Sequence, residues 1–220
     1  MVHDEGDRLG RNGVAVLAAG TLGRDAVRAV RVGPACPEFD RTGRWLEVDL
    51  AGCGGPDALL TAVSVYVPTG EAGTVLQDVK QRFLDAMTAR LADLGAAAAA
   101  GGAQVIVGGD LNVGAEDADI KAWRANLRHS GFLPAERDWL RSLTAGSWVD
   151  LVRAAHPEAA GPYSWWSWRG RAFDNDAGWR IDALLATPAV AARTRAAWVD
   201  RAASHAERLS DHAPVLAHLD

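Results

Sequence analysis

The amino-acid sequence predicts a single α/β domain. Residues 45–50 alternate apolar and polar side chains, residues 60–67 form an apolar, β-branched run, and residues 105–107 form a short apolar run. Each of these patterns is typical of a β-strand. Between the last two, residues 75–94 carry apolar side chains at helical spacing. No change of composition and no internal repeat divides the 220 residues, so strands and helices are expected to share one domain without a linker.

Local signals place the remaining elements. The long helix is expected to stop at Gly95, and Pro134 suits the first position of a helix over residues 135–143. The segment from Met1 to Arg11 shows no strand pattern. Further strands are predicted at residues 14–17, 163–168, 181–186, 198–199 and 215–219, and a turn is predicted at residues 52–56.

Composition limits the class of protein. The net charge of -5 at pH 7 argues against a protein that coats nucleic acid through its overall field. No apolar run approaches the roughly 20 residues that a membrane-spanning helix needs. Since no signal peptide opens the chain either, the sequence predicts a cytoplasmic protein that does not bind membranes.

The segment from Gly109 to Asn112 places two polar side chains directly after a buried strand. Asp110 and Asn112 lie two residues apart, so in extended backbone they share one face. A carboxylate there can orient or deprotonate water, and an amide can donate to a developing oxyanion. The alternative interpretation is an Asx-rich turn without a chemical role.

Asp182 and His212 are the second pair of candidates. Asp182 opens an apolar strand and needs a partner there, either a histidine that it orients or an arginine such as Arg180. His212 follows Asp211, and a carboxylate beside an imidazole can hold a divalent metal and a phosphate oxygen. Tyr66 ends a strand, where its phenol can donate to a phosphate oxygen or simply face water.

The aromatic run at residues 163–168, followed by Trp179, is the third feature. The chain has nine tryptophans against four phenylalanines, which raises the chance that some indoles lie at a surface. Next to Arg169, Arg171 and Arg180, these rings are suited to stacking on bases or to filling the gap left by a missing base. Core packing is the alternative for about half of them.

Taken together, five motifs resemble exodeoxyribonuclease III and the apurinic/apyrimidinic (AP) endonucleases of the endonuclease/exonuclease/phosphatase superfamily. The resemblance covers nearly the whole chain from Asn12 onward, and it implies a four-layer sandwich of two packed, mainly antiparallel sheets flanked by helices. The motifs are Tyr66-Val67-Pro68, Gly109-Asp110-Leu111-Asn112, Phe132-Leu133-Pro134 with Glu136-Arg137, the segment from Phe173 to Asp182, and Ser210-Asp211-His212-Ala213-Pro214-Val215.

The resemblance implies catalytic roles for five residues. Asp110 would position or activate the attacking water, Asn112 would stabilise the transition state, and Asp182 would orient His212. Tyr66 and His212 would contact the scissile phosphate of the DNA.

The resemblance also implies a metal ion and a DNA partner. Mg²⁺, or Mn²⁺ in its place, would be held by Asp110, Asn112, Asp211 and His212. Trp165, Trp179, Arg180 and Ile181 would contact DNA, three of them lining a pocket for the abasic sugar. The reaction would be hydrolysis 5′ to an abasic site, and removal of 3′ nucleotides or 3′ blocking groups, by a monomer acting on double-stranded DNA.

The chain also departs from this family. The family opens with one strand bearing an Asn and a second strand end bearing a metal-binding Glu, and neither has a counterpart before Asn12. Residues 1–11 are therefore interpreted as a non-homologous leader, and residues 12–220 as one truncated domain that lacks the first strands. Thr69 stands where the family usually has an Asn after Tyr-Val-Pro.

We therefore expect weak Mg²⁺ binding and little or no nuclease activity from this chain alone. Adding back the missing strands should restore both. A catalytically impaired relative that still binds damaged DNA, and a superfamily phosphatase acting on a small phosphate ester, are the alternatives.

Overall fold

The computed structural model describes residues 1–8, 10–53, 55 and 58–220, and it has a mixed α/β architecture, which confirms the predicted class. The strands are β1 (Val2–Asp4), β2 (Val14–Val16), β3 (Val27–Val32), β4 (Trp45–Ala51), β5 (Leu59–Tyr66), β6 (Gln104–Asp110), β7 (Val149–Asp150), β8 (Asp182–Ala186), β9 (Thr194–Val199) and β10 (Val215–Leu219). The helices are α1 (Val75–Ala99), α2 (Trp123–Asn126), α3 (Pro134–Ala145), α4 (Leu151–Ala155) and α5 (Pro188–Ala191), joined by short 3₁₀ turns.

A six-stranded mixed sheet is the centre of the fold. Its strand order is β3-β4-β5-β6-β8-β7. Only β5 and β6 run parallel among these neighbours, and the long helix α1 connects them. Two parallel neighbours need such a crossover, because a short hairpin can join only antiparallel strands.

One face of this sheet packs against α1 and α3. Phe83, Leu84, Met87 and Leu91 recur at helical spacing on α1 and are fully buried. They meet alternate residues of the central strands, such as Val65 of β5, in the main hydrophobic core. The apolar face of α1 therefore fixes the sheet from one side.

The other face of the sheet carries two small sheets. The β1–β2 pair packs its Val14 against Leu46, Val48 and Leu50 of β4. The β9–β10 pair packs near β8, with Ala197 in a separate cluster. In the described parts of the chain, two separate two-stranded sheets thus stand where the resemblance implies a second full sheet.

Several local predictions are corrected by the structure. The expectation that Met1 to Arg11 lacks a strand is wrong, because Val2–Asp4 pairs with Val14–Val16. Helix α1 continues through Gly95 to Ala99, since the alanine-rich sequence that follows favours helix strongly enough to offset one glycine.

The predicted strand at residues 163–168 is also wrong. Within it, Trp165 makes isolated bridges to Trp179 and to His212, so this segment joins two loops instead of entering a sheet. The predicted turn at residues 52–56 falls partly on Gly54 and Pro56, which lie outside the described residues. Across the described ranges, no helix is both long and apolar enough to cross a membrane.

Candidate active site

The register of the central sheet places three of the predicted site residues side by side. Tyr66 at the end of β5 is the register partner of Asp110 on β6, and Asp110 is the partner of Asp182 on β8. Side chains of directly paired residues project from the same face of a sheet. Residues far apart in sequence therefore form a row at one end of the sheet.

His212 joins this row through Asp182. Its Nδ1 lies 2.8 Å from Asp182 Oδ2. The same carboxylate oxygen accepts a hydrogen bond of 2.7 Å from the hydroxyl of Ser164, which is fully buried. Ser164 is fixed in turn by the backbone, because its oxygen accepts from the N–H groups of Ile181 and Asp182. Asp182 is thus held between a histidine and a buried serine.

Asp110 and Asn112 form a compact Asx turn. Asp110 Oδ1 accepts from the Asn112 backbone N–H at 2.8 Å, and Oδ2 accepts from Asn112 Nδ2 at 2.9 Å. The same Nδ2 also donates to the Val67 carbonyl at 2.9 Å. Both hydrogens of this amide are therefore used inside the protein. The predicted donation from Asn112 to an oxyanion is not available in this arrangement, and its Oδ1 is the atom left to meet a ligand.

Burial and neighbouring charges shift the pKa values of Asp110 and His212. Burial, and after it the negative charge of Asp182, raise the pKa of Asp110 to about 7. At His212 burial opposes the charged imidazolium, but the carboxylates of Asp182, Asp110 and Asp211 outweigh it and raise the pKa above its usual value. The surroundings therefore raise the pKa values of both Asp110 and His212, as is common for groups in functional sites.

Three of the predicted DNA contacts lie beside this row. The rings of Trp165 and Trp179 meet edge to face at 6.1 Å, and both are half-buried. Ile181, only 7% exposed, follows Trp179 by two residues. Trp165 Nε1 donates to Asp211 Oδ2 at 3.0 Å, so the predicted metal ligand Asp211 is engaged by an indole.

The prediction that Arg180 contacts DNA is wrong. Arg180 is 4% exposed, with Nε at 2.7 Å from Asp119 Oδ1 and Nη1 at 2.6 Å from Asp150 Oδ2. A guanidinium held by two buried carboxylates cannot also reach a DNA phosphate. Its role is to tie the segment before Asp182 to the core, and it is not the partner of Asp182.

The residues present do not make a complete site for Mg²⁺. A small hard cation takes about six oxygen ligands. No three His, Cys, Asp or Glu residues in the described ranges are grouped so that they could hold a metal ion. Asp110 and Asp211 each accept internal hydrogen bonds at both oxygens. The predicted set Asp110, Asn112, Asp211 and His212 is therefore not gathered into a cation site.

Sequence reasoning missed two residues of this region. Ser164 lies inside the aromatic run and has no signal of its own apart from its place next to Trp165. Arg44 contacts Tyr66 in two ways. Its guanidinium carbon lies 4.6 Å from the centre of the phenol ring, and its Nη1 donates to the Tyr66 carbonyl at 3.0 Å. Its Nη2 donates to Asn12 Oδ1 at 2.9 Å. Nothing in the sequence around Arg44, which directly precedes β4, indicates this role.

A mixed sheet with a carboxylate row and an aspartate-bound histidine at its end defines a class of protein. The model of the Endonuclease/Exonuclease/phosphatase family matches residues 2–212, and the chain belongs to that family. The match begins inside the segment 1–11 that the sequence alone suggested setting aside as a leader.

Among characterised relatives, the chain is similar to Exodeoxyribonuclease III of Haemophilus influenzae, at 30% identity over 213 residues that cover 94% of this chain and 76% of the relative. It is 28% identical to the Exodeoxyribonuclease of Bacillus subtilis over 179 residues, 81% of this chain and 64% of the relative. It is also 28% identical to the DNA repair nuclease APEX1 of Danio rerio over 184 residues, 84% of this chain. The chain spans only 54% of that last relative.

Solved structures show the same architecture. A 3′-5′ exonuclease (NExo) from Neisseria meningitidis superposes with a TM-score of 0.77 at 28% identity, covering 88% of this chain and 72% of the other. An AP endonuclease from Archaeoglobus fulgidus superposes with a TM-score of 0.76 at 25% identity, covering 88% and 71%. A 3′ phosphatase NExo from Neisseria, bound to a product DNA hairpin, gives 0.75 at 28% identity, covering 88% and 71%.

Proposed function

We propose that this chain is a DNA-repair phosphodiesterase of the exodeoxyribonuclease III and AP endonuclease type. Its substrate is double-stranded DNA that carries abasic sites or 3′ ends, and it acts as a monomer. The observation that carries the proposal is the row of Tyr66, Asp110 and Asp182, with His212 held 2.8 Å from Asp182. The names of the relatives, which are exonucleases and AP endonucleases, point to the same substrate.

The roles of the side chains follow from their environments. Asp182 fixes His212, and Ser164 fixes Asp182. Burial opposes the cationic form of His212, but the carboxylates led by Asp182 outweigh it and raise the pKa, which favours an imidazolium beside a phosphate. Asp110, with its pKa raised to about 7, is suited to accept a proton from an attacking water. Tyr66, steadied by Arg44, donates its hydroxyl to a phosphate oxygen.

We assign recognition of the damaged site to the apolar side chains beside the row of Tyr66, Asp110 and Asp182. Trp165 and Trp179, both half-buried, offer an apolar surface to a sugar that lacks its base, and the largely buried Ile181 lies two residues after Trp179. Trp168 is 51% exposed and is followed by the exposed Arg169 and Arg171, a combination that suits a nucleic-acid strand.

The resemblance implies Mg²⁺, with Mn²⁺ as the alternative, but the described residues supply only part of a hard-cation shell. We therefore expect this chain alone to bind the ion weakly and to cleave DNA slowly. The same observation favours a second candidate, a relative that binds damaged DNA without cleaving it. Small phosphate esters such as inositol phosphates are the substrates to test for the phosphatase alternative.

The test uses a duplex with one abasic-site analogue, assayed for cleavage with saturating Mg²⁺. Asp182→Ala should abolish cleavage. Asp25→Ala removes an exposed carboxylate near the start of the chain and should leave cleavage unchanged. Equal losses from both variants would refute the assignment of roles. Binding of the abasic duplex without any cleavage would support the relative that only binds damaged DNA. Faster hydrolysis of inositol phosphates than of DNA would support the phosphatase alternative.

A further inference from the structure

The chain contains a fully buried lysine beside the candidate site. Lys80 and Lys121 are the only lysines in the sequence, and every other basic residue among the 23 Lys and Arg is an arginine. Lys121 is exposed, but the Lys80 side chain has 0% exposure. A buried ammonium is costly unless it is paired and fully hydrogen-bonded, so its surroundings should explain why it is there.

Four acceptors lie within hydrogen-bonding distance of the Lys80 ammonium, which has three hydrogens to donate. Nζ lies 2.6 Å from Glu136 Oε1, and it donates to the Asn112 carbonyl at 2.8 Å and to the Thr69 carbonyl at 3.2 Å. Ser130 Oγ is a fourth, more distant neighbour at 3.3 Å. Thr69 follows the end of β5 and Asn112 follows the end of β6, so the ammonium links the two strands that carry Tyr66 and Asp110.

Glu136 anchors the ammonium from the other side. It also has 0% exposure, and its Oε2 accepts from the backbone N–H groups of Gly131 and Leu133 at 2.7 and 2.9 Å. The start of α3 and the turn before it are therefore joined to the same ion pair. Both carboxylate oxygens of Glu136 are therefore held by hydrogen bonds or by the ion pair.

Asn112 needs such support because its backbone is in an uncommon conformation. Its φ is +52°, in the left-handed region that non-glycine residues adopt rarely. Gly131 approaches it so closely that a Cβ there would lie 2.9 Å from the Asn112 carbonyl oxygen. A change in the Asn112 backbone would also disturb Asp110, because the Asn112 backbone N–H donates to Asp110 Oδ1 and the Asn112 side-chain amide donates to Oδ2.

We propose that Lys80, with Glu136 as its counter-charge, is a positioning residue that fixes Asn112 and through it the carboxylate of Asp110. The expected effect of Lys80 on catalysis rests on the function proposed above. Its expected effect on the geometry of Asn112 does not depend on that function, and it can be measured without an activity assay.

The informative variant removes both charges together. Lys80→Met with Glu136→Gln leaves no buried unpaired charge, and neutral replacements of buried ion pairs often keep stability. Lys121→Met is the matched control, since it removes the exposed lysine. Glu136→Gln alone is the second variant: it keeps Lys80 but weakens its anchor, and it serves if the double variant does not fold.

The first measurement is an NMR spectrum of protein labelled with ¹⁵N at asparagine. The Asn112 signals are assigned from their loss in Asn112→Asp, and Asn126 and Asn175 serve as internal references. We expect the backbone and side-chain amide signals of Asn112 to shift or broaden in the double variant, and to shift less in Glu136→Gln. The reference signals and the Lys121→Met spectrum should not change. Unchanged Asn112 signals in a folded variant overturn the proposal.

The second measurement is the turnover number on abasic duplex. The double variant should lower kcat about as much as Asn112→Ala does, with KM little changed, and it should add no further loss in the Asn112→Ala background. Independent, multiplying losses would overturn the proposal. If the parent chain cleaves nothing, the proposed function fails, and the NMR result alone decides whether Lys80 positions Asn112.

Discussion

His212 Nδ1 lies 2.8 Å from Asp182 Oδ2, and the two residues reach this contact from different elements. Asp182 opens β8, whereas His212 lies in the loop before β10. The connection between the loops is the backbone of Trp165, which bridges to both Trp179 and His212. The geometry of the pair therefore depends on the aromatic segment as much as on the sheet.

Removing Asp182 should change the titration of His212. Burial alone would lower the pKa of His212, and the neighbouring carboxylates, led by Asp182, raise it above the usual value. In Asp182→Asn we expect this pKa to fall, as measured from the ring signals of His212 by NMR. An unchanged His212 pKa would show that the contact does not persist in solution.

The same variant should alter the pH dependence of stability. A raised pKa means that the folded state binds the proton of His212 more tightly than the unfolded state does. This contribution to the free energy of unfolding is therefore present below the pKa of an unfolded histidine, and it is lost as pH rises through the folded value. In Asp182→Asn this contribution should be smaller. We therefore expect the difference in the free energy of unfolding between acidic and alkaline pH to be smaller than in the parent chain, as measured by urea unfolding across that range.

Ser164→Ala should weaken catalysis through Asp182. The hydroxyl donates to Asp182 Oδ2 at 2.7 Å, and a hydrogen bond to a charged group is worth about 1.5 kcal/mol or more, roughly tenfold in rate. We expect cleavage of abasic duplex to fall by about that factor. Ser167→Ala, three residues along the same segment, is the control and should cleave like the parent chain. Equal rates for the two variants would remove Ser164 from the site.

Arg180→Met should destabilise the fold. It leaves Asp119 and Asp150 as buried carboxylates that have lost a shared cation, although Arg153 still contacts Asp119. Breaking one side of a buried ion pair costs about 3–5 kcal/mol. Arg171→Met, at a side chain that is 78% exposed, should cost almost nothing in the same thermal or urea unfolding experiment. A small loss for Arg180→Met would mean that the carboxylates find other partners.

Trp179→Ala should reduce the preference for damaged DNA. Trp179 offers the apolar surface of its ring to a sugar that lacks its base. We expect weaker binding to abasic duplex and little change for intact duplex, as measured by fluorescence anisotropy at one salt concentration. Trp123→Ala, at the start of α2, is the matched control. Equal losses on both duplexes would assign Trp179 to general DNA binding.

Much of this site could be predicted from the sequence because its residues follow apolar strand patterns. Tyr66, Asp110 and Asp182 each lie at a strand end, beside an apolar run that is visible in the sequence. The register that aligns them could not be predicted, since it depends on the pairing of β5, β6 and β8. The short strand β1 was missed because three residues carry too little alternation to be recognised.

Other features depend on partners that are distant in sequence. Arg180 looks like a DNA contact in sequence, because nothing near it shows that Asp119 and Asp150 converge on its guanidinium. The internal use of the Asn112 amide depends on the Val67 carbonyl of the neighbouring strand. The ion pair of Lys80 and Glu136 joins α1 to α3 across 56 positions of the chain. Such contacts arise only when the core assembles.

The central claim is that Asp110 and His212 act in one site on one phosphate. A double-mutant cycle in single-turnover cleavage of abasic duplex, at saturating Mg²⁺, tests it most directly. Groups that act as a unit lose nearly all their effect when either is removed, so Asp110→Ala with His212→Ala should cleave no more slowly than either single variant. Losses that multiply, or a parent chain that gives no cleavage at any Mg²⁺ concentration, would contradict the account.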